Sequence, residues 1–289
     1  MASPGSTDTV GEWAAVLPEQ LLADPLVQPS QAKSRALAAV RTRPRWWVEL
    51  LIVGWLLWVY DAINNLAHLR YSLAISHALG VLHLEQALHI DPERTLNRWM
   101  AHHHTLGVVS SYYYDNAHFI VTFGLLAWLW WRRADIYRPL RSALVLMNVI
   151  GLAVFWLYPV APPRMLVGFS DVVANTGAVG SWHTGPLAHD ANQLAAMPSL
   201  HMAWAAWCAV VIWQLSPRVW VRVLAVLYPC VTCLAVLGTG NHFVLDILAG
   251  LATAALALVL ASVWSKALAR ALPAVGGACH KLVTKSKTG

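Results

Sequence analysis

The sequence predicts an all-α membrane protein: a six-helix polytopic bundle with amphipathic or interfacial helices between spans one and two. Three observations predict it. Hydrophobic residues make up 58% of the 289 residues and charged residues 12%, with a mean hydropathy of +0.52, a composition suited to a bilayer. The apolar residues fall in runs of helical length, and nothing divides them into separate domains. Sixteen tryptophans are present, far above ordinary use, and Trp46-Trp47 stands where an interfacial anchor belongs.

The net charge of +6 does not point to nucleic acid, because the basic residues sit in short clusters between apolar runs, which is a topology signal. Of the four cysteines, Cys208, Cys230 and Cys233 lie in apolar runs and Cys279 in the basic tail. No structural disulfide is expected, and Cys230-x-x-Cys233 inside a helix reads as packing rather than as a redox pair.

Residues 1–45 read as a cytoplasmic N-terminal tail. They show no early apolar core with a cleavage site, one short helix near Ser30–Val40, and a closing cluster of Arg41, Arg43 and Arg45. Residues 46–265 read as one six-span catalytic domain with outer loops at 63–116 and 159–197, and 266–289 as a basic cytoplasmic tail. Span one covers about Trp46–Ala62. Tyr71–Leu88 has apolar residues at helical spacing, interrupted by His77, His83 and Glu85, and reads as an amphipathic or re-entrant helix. Asp91-Pro92-Glu93 starts a second short helix over 93–106. Spans two to five are Ala117–Trp131, Ser142–Tyr158, Leu200–Leu215 and Val219–Leu237. Span six, His242–Trp264, rises roughly 34 Å, enough for a hydrocarbon core.

With the N-terminus inside, sixteen of the twenty Lys and Arg residues fall on the inner side, leaving Arg70, Arg94, Arg98 and Arg164 outside. The positive-inside bias fixes this orientation. Twelve of the thirteen histidines then lie on the outer side, so the chemistry is expected to face outward, in the cell membrane.

Two polar islands carry that chemistry. Pro198-Ser199-Leu200-His201 opens span four, and Gly240-Asn241-His242 opens span six with Asp246 one turn deeper. The spacing of four puts His242 and Asp246 on one helix face, where a carboxylate can orient an imidazole. Ser199 suits a helix N-cap, and the first turn of span four offers amides and a positive dipole end to a phosphate. Arg164, in Tyr158-Pro-Val-Ala-Pro-Pro-Arg164, can clamp an anionic oxygen. These parts suit phosphoryl transfer through a histidine, without a metal or cofactor.

Pro198-Ser199-Leu200-His201 and His242-x-x-x-Asp246 resemble the second and third signature motifs of the type 2 phosphatidic acid phosphatase superfamily. Pro-Ser-Leu-His in place of Pro-Ser-Gly-His, with Tyr-Pro-x-x-Pro-Pro-Arg before the outer loop, is similar to the inositol phosphorylceramide synthase, or aureobasidin-resistance-like, branch. The resemblance covers roughly residues 110–265. It implies His242 as the phosphoryl-accepting nucleophile, Asp246 as its partner, His201 as acid then base, and Arg164 as the first motif's arginine. Asn241 would join Arg164 and Ser199 in holding phosphate. Two cations of the family pattern are missing: no lysine precedes Arg164 at the family's spacing, and Val236 stands where the third motif carries arginine. Arg132-x5-Arg138-Pro139 mimics the first motif but falls on the inner side.

The expected function is an integral membrane phosphotransferase acting on a lipid phosphate or phosphodiester, with water or a polyol such as inositol as acceptor. The alternatives are a lipid phosphate phosphatase of the same superfamily and a non-catalytic lipid-binding or transport protein. Asp115 and His118 before span two, and His183 and His189 in the second outer loop, are candidate substrate-binding residues. His102-His103-His104 points to different helix faces and reads as a wet surface rather than a metal site. Tyr112-Tyr113-Tyr114 reads as an interfacial aromatic belt.

Overall fold

The structure, a computed structural model, describes residues 43–177 and 194–285. Nine α-helices occur among them: α1 (Trp46–Ala67), α2 (Tyr71–Leu88), α3 (Glu93–Ala101), α4 (His104–Arg132), α5 (Ala134–Leu157), α6 (Val172–Asn175), α7 (Leu200–Leu215), α8 (Val219–Gly238) and α9 (Val244–Lys285). No strand is present among the described residues, and a single parallel bridge joins Val160 to Ala195. The compact unit that holds the features below is Thr42–Ala267. The helix expected near Ser30–Val40 lies outside the described residues.

Four helical segments are long and apolar enough to cross a bilayer: Trp46–Asn65, Ala134–Leu157, Val219–Gly238 and Val244–Leu268. They make the chain a membrane protein. The other two expected spans differ. α7 is apolar but has 16 residues, about 24 Å of rise, and α4 has 29 residues with a polar first half. α4 begins thirteen residues before the expected Ala117, because Gly107, Ser111 and Asp115 recur every four residues and bury one face. α5 starts at Ala134 rather than Ser142, and the 93–106 helix breaks at His102–His103. Within the segment from 266, the helix continues to Lys285.

The largest core lies between α4, α5, α7 and α9, around Leu129, Met147, Trp207 and Ala257. Trp207 is fully buried and donates its indole N–H to the Leu140 carbonyl at 3.1 Å, which satisfies the one polar atom of that side chain. Large apolar residues left exposed on α1, α8 and α9, among them Trp55, Trp58, Leu224 and Val259, form the faces a bilayer would cover. A second core gathers α2 with the 160–166 loop, Ala196 and Phe243, and a third joins Met202, Val236, Leu237 and Ile247. The polar islands sit between these last two.

Candidate active site

α8 ends in a backbone device that sets the position of His242. Gly240 N–H donates to Leu237 O at 3.1 Å and Asn241 N–H to Val236 O at 3.0 Å, with Gly240 left-handed at φ +77°. This is a Schellman motif, and a side chain at 240 would meet both strain and the Ser170 carbonyl. The chain then passes through Asn241, His242 and Phe243 before α9 starts at Val244. His242 therefore precedes the helix, and does not share a helical face with Asp246 as the spacing of four suggested. Asp246 instead caps the turn: its Oδ2 accepts the Phe243 amide at 2.9 Å and lies 3.5 Å from His242 Nδ1.

The closer partner of His242 Nδ1 is the Ala196 carbonyl at 2.9 Å. A carbonyl and a carboxylate both only accept, so Nδ1 carries the proton and Nε2 the lone pair. Nε2 is buried and has no hydrogen-bond partner among the described residues. Ala196 is brought there by the bridge: Val160 N–H donates to Leu194 O at 3.2 Å, and Ala196 N–H to Val160 O at 3.1 Å. The two ends of the loop between α5 and α7 are thus tied together beside the imidazole.

Ser199 is the N-cap of α7, its hydroxyl accepting from Met202 N at 3.4 Å and its amide donating to Asp246 O at 3.0 Å. The starts of α7 and α9 are therefore joined backbone to backbone. Gly250 lets them approach: a Cβ there would strike the Ser199 carbonyl. His201, the second residue of α7, lies 5.7 Å from His242 by ring centroids. It is flanked by Tyr114 at 4.4 Å, stacked, and His118 at 4.3 Å, edge-on. Tyr114 is thus a wall of the site and not part of an interfacial belt, while Tyr113 bonds Thr232 at 2.8 Å and Tyr112 stays exposed. Asp115 is buried beside Tyr114 on α4.

Arg164 follows α5 in a single 3₁₀ turn, Pro163–Met165. Its amide donates to Gly240 O at 2.8 Å, and its guanidinium bonds Asn241 Oδ1 and pairs with Asp171 Oδ2 at 3.3 Å. Burial pulls this guanidinium below its ordinary value and Asp171 opposes that shift. Asn241 spends its other amide atom on Thr239 Oγ1 at 2.8 Å. It is an orienting partner of Arg164 in this arrangement, whereas sequence reasoning assigned it to phosphate directly. Val236, at the family's arginine position, points into an apolar core, so that cation is replaced by packing.

Sequence reasoning missed Asn97. Its Nδ2 donates to Ser170 O at 2.9 Å and Gly238 O at 3.0 Å, and its Oδ1 accepts Ser170 N at 2.8 Å. It clasps the Arg164–Asp171 loop to the end of α8. The available signal was the four-residue spacing of Glu93 and Asn97 in a short helix, both buried. Among the described residues no group of three His, Cys, Asp or Glu side chains could hold a metal ion; His102 and His103 bond their own helix backbone. His183 and His189 lie outside the described residues.

A family model described as the PAP2 superfamily matches residues 79–260, well over half of the chain. The chain belongs to the PAP2 superfamily. The PAP2 match runs from within α2 to within α9, and hence takes in Arg164, His201, His242 and Asp246 together; α1 lies outside it. Comparison with curated proteins and with solved structures returns no match. Membership gives the chain a lipid phosphatase or phosphotransferase type of function, and makes it an enzyme at that coarse level.

Proposed function

We propose that this protein transfers a phosphoryl or substituted phosphoryl group from a membrane lipid to a polar acceptor through phospho-His242. The observation that carries the reading is the state of His242: Nδ1 is held by the Ala196 carbonyl and Asp246, and Nε2 is left with its lone pair beside His201.

In the first half-reaction Nε2 attacks phosphorus, the bond from phosphorus to the leaving oxygen breaks, and protonated His201 gives its proton to that oxygen. The Nδ1 proton stays on His242, whose positive charge is countered by Asp246. Arg164 and the first-turn amides of α7 hold the remaining phosphoryl oxygens as charge builds on them. In the second half-reaction, neutral His201 takes a proton from water or a polyol hydroxyl. The new oxygen–phosphorus bond forms as the nitrogen–phosphorus bond breaks, and Nε2 regains its lone pair. Hydrolysis and transfer differ only in the acceptor. The synthase-like Pro198-Ser199-Leu200-His201 and the loss of two family cations favour transfer, with inositol or another polyol as acceptor; lipid phosphate hydrolysis is the second reading.

The site is read as facing outward in a cell membrane. α4 and α7 complete six spans, both termini lie inside, and α2 and α3 form an interfacial layer over the site. The positive-inside bias supports this. The test uses purified protein in detergent with chelator and radiolabelled phospholipid or polyprenyl phosphate, with and without inositol. An inositol-dependent lipid product is expected, together with an acid-labile, base-stable phosphoprotein that is absent in His242→Ala. Free phosphate without acceptor would select the phosphatase. Turnover by His242→Ala would overturn the mechanism.

A further inference from the structure

α2 aims a carboxyl group at the start of α9, and α3 sets a second carboxyl group beside the first. Glu85 and Glu93 are both wholly buried. Glu85 Oε1 accepts the Leu245 amide at 2.6 Å, one of the first-turn donors that no carbonyl of α9 can reach. Glu85 Oε2 and both oxygens of Glu93 meet no well-aligned donor among the described residues, Glu93 having only its own amide close by, and the two side chains lie within hydrogen-bonding reach of each other.

Two touching carboxylates in a buried site do not both ionise. A buried acceptor with no donor is costly as well. One proton between them removes both penalties. The surrounding charges do not offer another solution: Asp91 and Asp246 add negative potential, while Arg94 acts on Glu93 from a seat over the Phe169 ring, 5.1 Å from its centroid.

We propose that Glu85 and Glu93 share one proton, and that the pair positions the reacting turn by seating the Leu245 amide between His242 and Asp246. In this arrangement the Glu85 carboxyl donates from Oε2 to the Glu93 carboxylate, and its carbonyl oxygen Oε1 receives Leu245. Burial pushes Glu85 from 4.5 up to about 8, with the Leu245 amide opposing and Glu93 adding to it; burial raises Glu93 too. The seat is therefore intact at neutral pH. It fails on the alkaline side, when a second negative charge appears against the first turn of α9.

The kinetic part of this inference rests on the proposed chemistry, and the protonation part does not. The full-length protein in detergent is compared with Glu85→Gln, Glu93→Gln and Glu85→Met. Infrared spectra should show a protonated-carboxyl stretch in the wild type that titrates away on the alkaline side and loses amplitude in Glu85→Gln. A wild type without that band, or an unchanged band in Glu85→Gln, overturns the shared proton. In turnover, Glu85→Gln keeps the acceptor for Leu245 and a donor for Glu93, whereas Glu85→Met keeps only the bulk. kcat of Glu85→Met is expected about 10- to 100-fold below that of Glu85→Gln, and both Gln variants should lose the alkaline fall. Equal kcat in Glu85→Gln and Glu85→Met, or an alkaline limb unchanged in both Gln variants, overturns the positioning role. If the wild type turns over no lipid phosphate, the proposed chemistry fails while the infrared result still decides the proton.

Discussion

Replacing Gly250 with alanine separates the fold from the chemistry. In the middle of a helix this substitution ordinarily stabilises by about 1 kcal/mol. Here the added Cβ would meet Ser199 C at 3.2 Å and Met202 Cβ at 3.4 Å. It would also press on the Ser199 carbonyl oxygen, roughly 1 Å inside an ordinary carbon–oxygen contact. The obstacle is backbone, so neither side can rotate out of the way. Relief requires α9 and the start of α7 to part by about that distance, at a packing cost of about 1–3 kcal/mol. The propensity gain and the packing cost nearly offset each other, and the unfolding midpoint in detergent should change little or fall slightly. The rate is more sensitive. The same parting stretches the Ser199 amide to Asp246 carbonyl bond and moves His201 away from His242, and a misplacement of about 1 Å costs on the order of 100-fold. kcat, measured as label released or transferred at saturating lipid, should drop by that order. Gly54→Ala and Gly124→Ala, where a Cβ meets nothing within 4 Å, serve as controls at wild-type rate. Wild-type kcat in Gly250→Ala, or an equal loss in the controls, would refute the reasoning.

Asn97→Leu leaves Ser170 N, Ser170 O and Gly238 O without the partner they share; a loss of about 2–4 kcal/mol should appear as an earlier thermal midpoint, and an unchanged midpoint would count against the clasp. Arg164→Lys keeps the charge but not the two-sided grip on Asn241 and Asp171, so kcat/KM should fall about 10- to 100-fold; full activity would mean that only charge is needed. Asp246→Asn should lower kcat by about 10²–10⁴-fold through loss of imidazolium stabilisation, while nitrogen NMR should still find the proton on Nδ1, because Ala196 accepts it; a switch of tautomer would contradict that assignment. The folded protein holds the Glu85 proton more tightly than the unfolded chain, so between pH 4.5 and about 8 stability falls as pH rises, by a few kcal/mol at most. Glu85→Gln should flatten that slope in thermal scans, and an equally steep slope would exclude Glu85 as its source.

The apolar spans were legible because bilayer burial imposes composition over whole turns of helix, and Pro198-Ser199-Leu200-His201 with His242 and Asp246 stood out as polar residues where apolar ones belong. The start of α4 was not legible. Its first half is polar in composition, and Gly107, Ser111 and Asp115 bury one face of it against neighbouring elements. Asn97 and Glu85 escaped for a related reason: each acts on backbone groups far along the chain, and a backbone amide has no letter in a sequence. The His242–Asp246 spacing suggested a partnership but the wrong geometry, since four residues fit a helical face and an N-terminal cap equally well. Val236 shows the converse, a motif position whose side chain has been taken over by the core.

The hydrogen bond from His242 Nδ1 to the Ala196 carbonyl has a consequence for how this site tolerates change. The atom that sets the tautomer of the imidazole belongs to the main chain, so no substitution at 196 removes it, and random mutagenesis would score the position as silent so long as a small side chain fits. The dependence becomes visible only when the atom itself is altered, as in an ester linkage between residues 196 and 197 that weakens the carbonyl as an acceptor. Sequence drift can therefore alter many residues around His242 while the orientation of its ring is retained, carried by chain geometry instead of by any conserved letter.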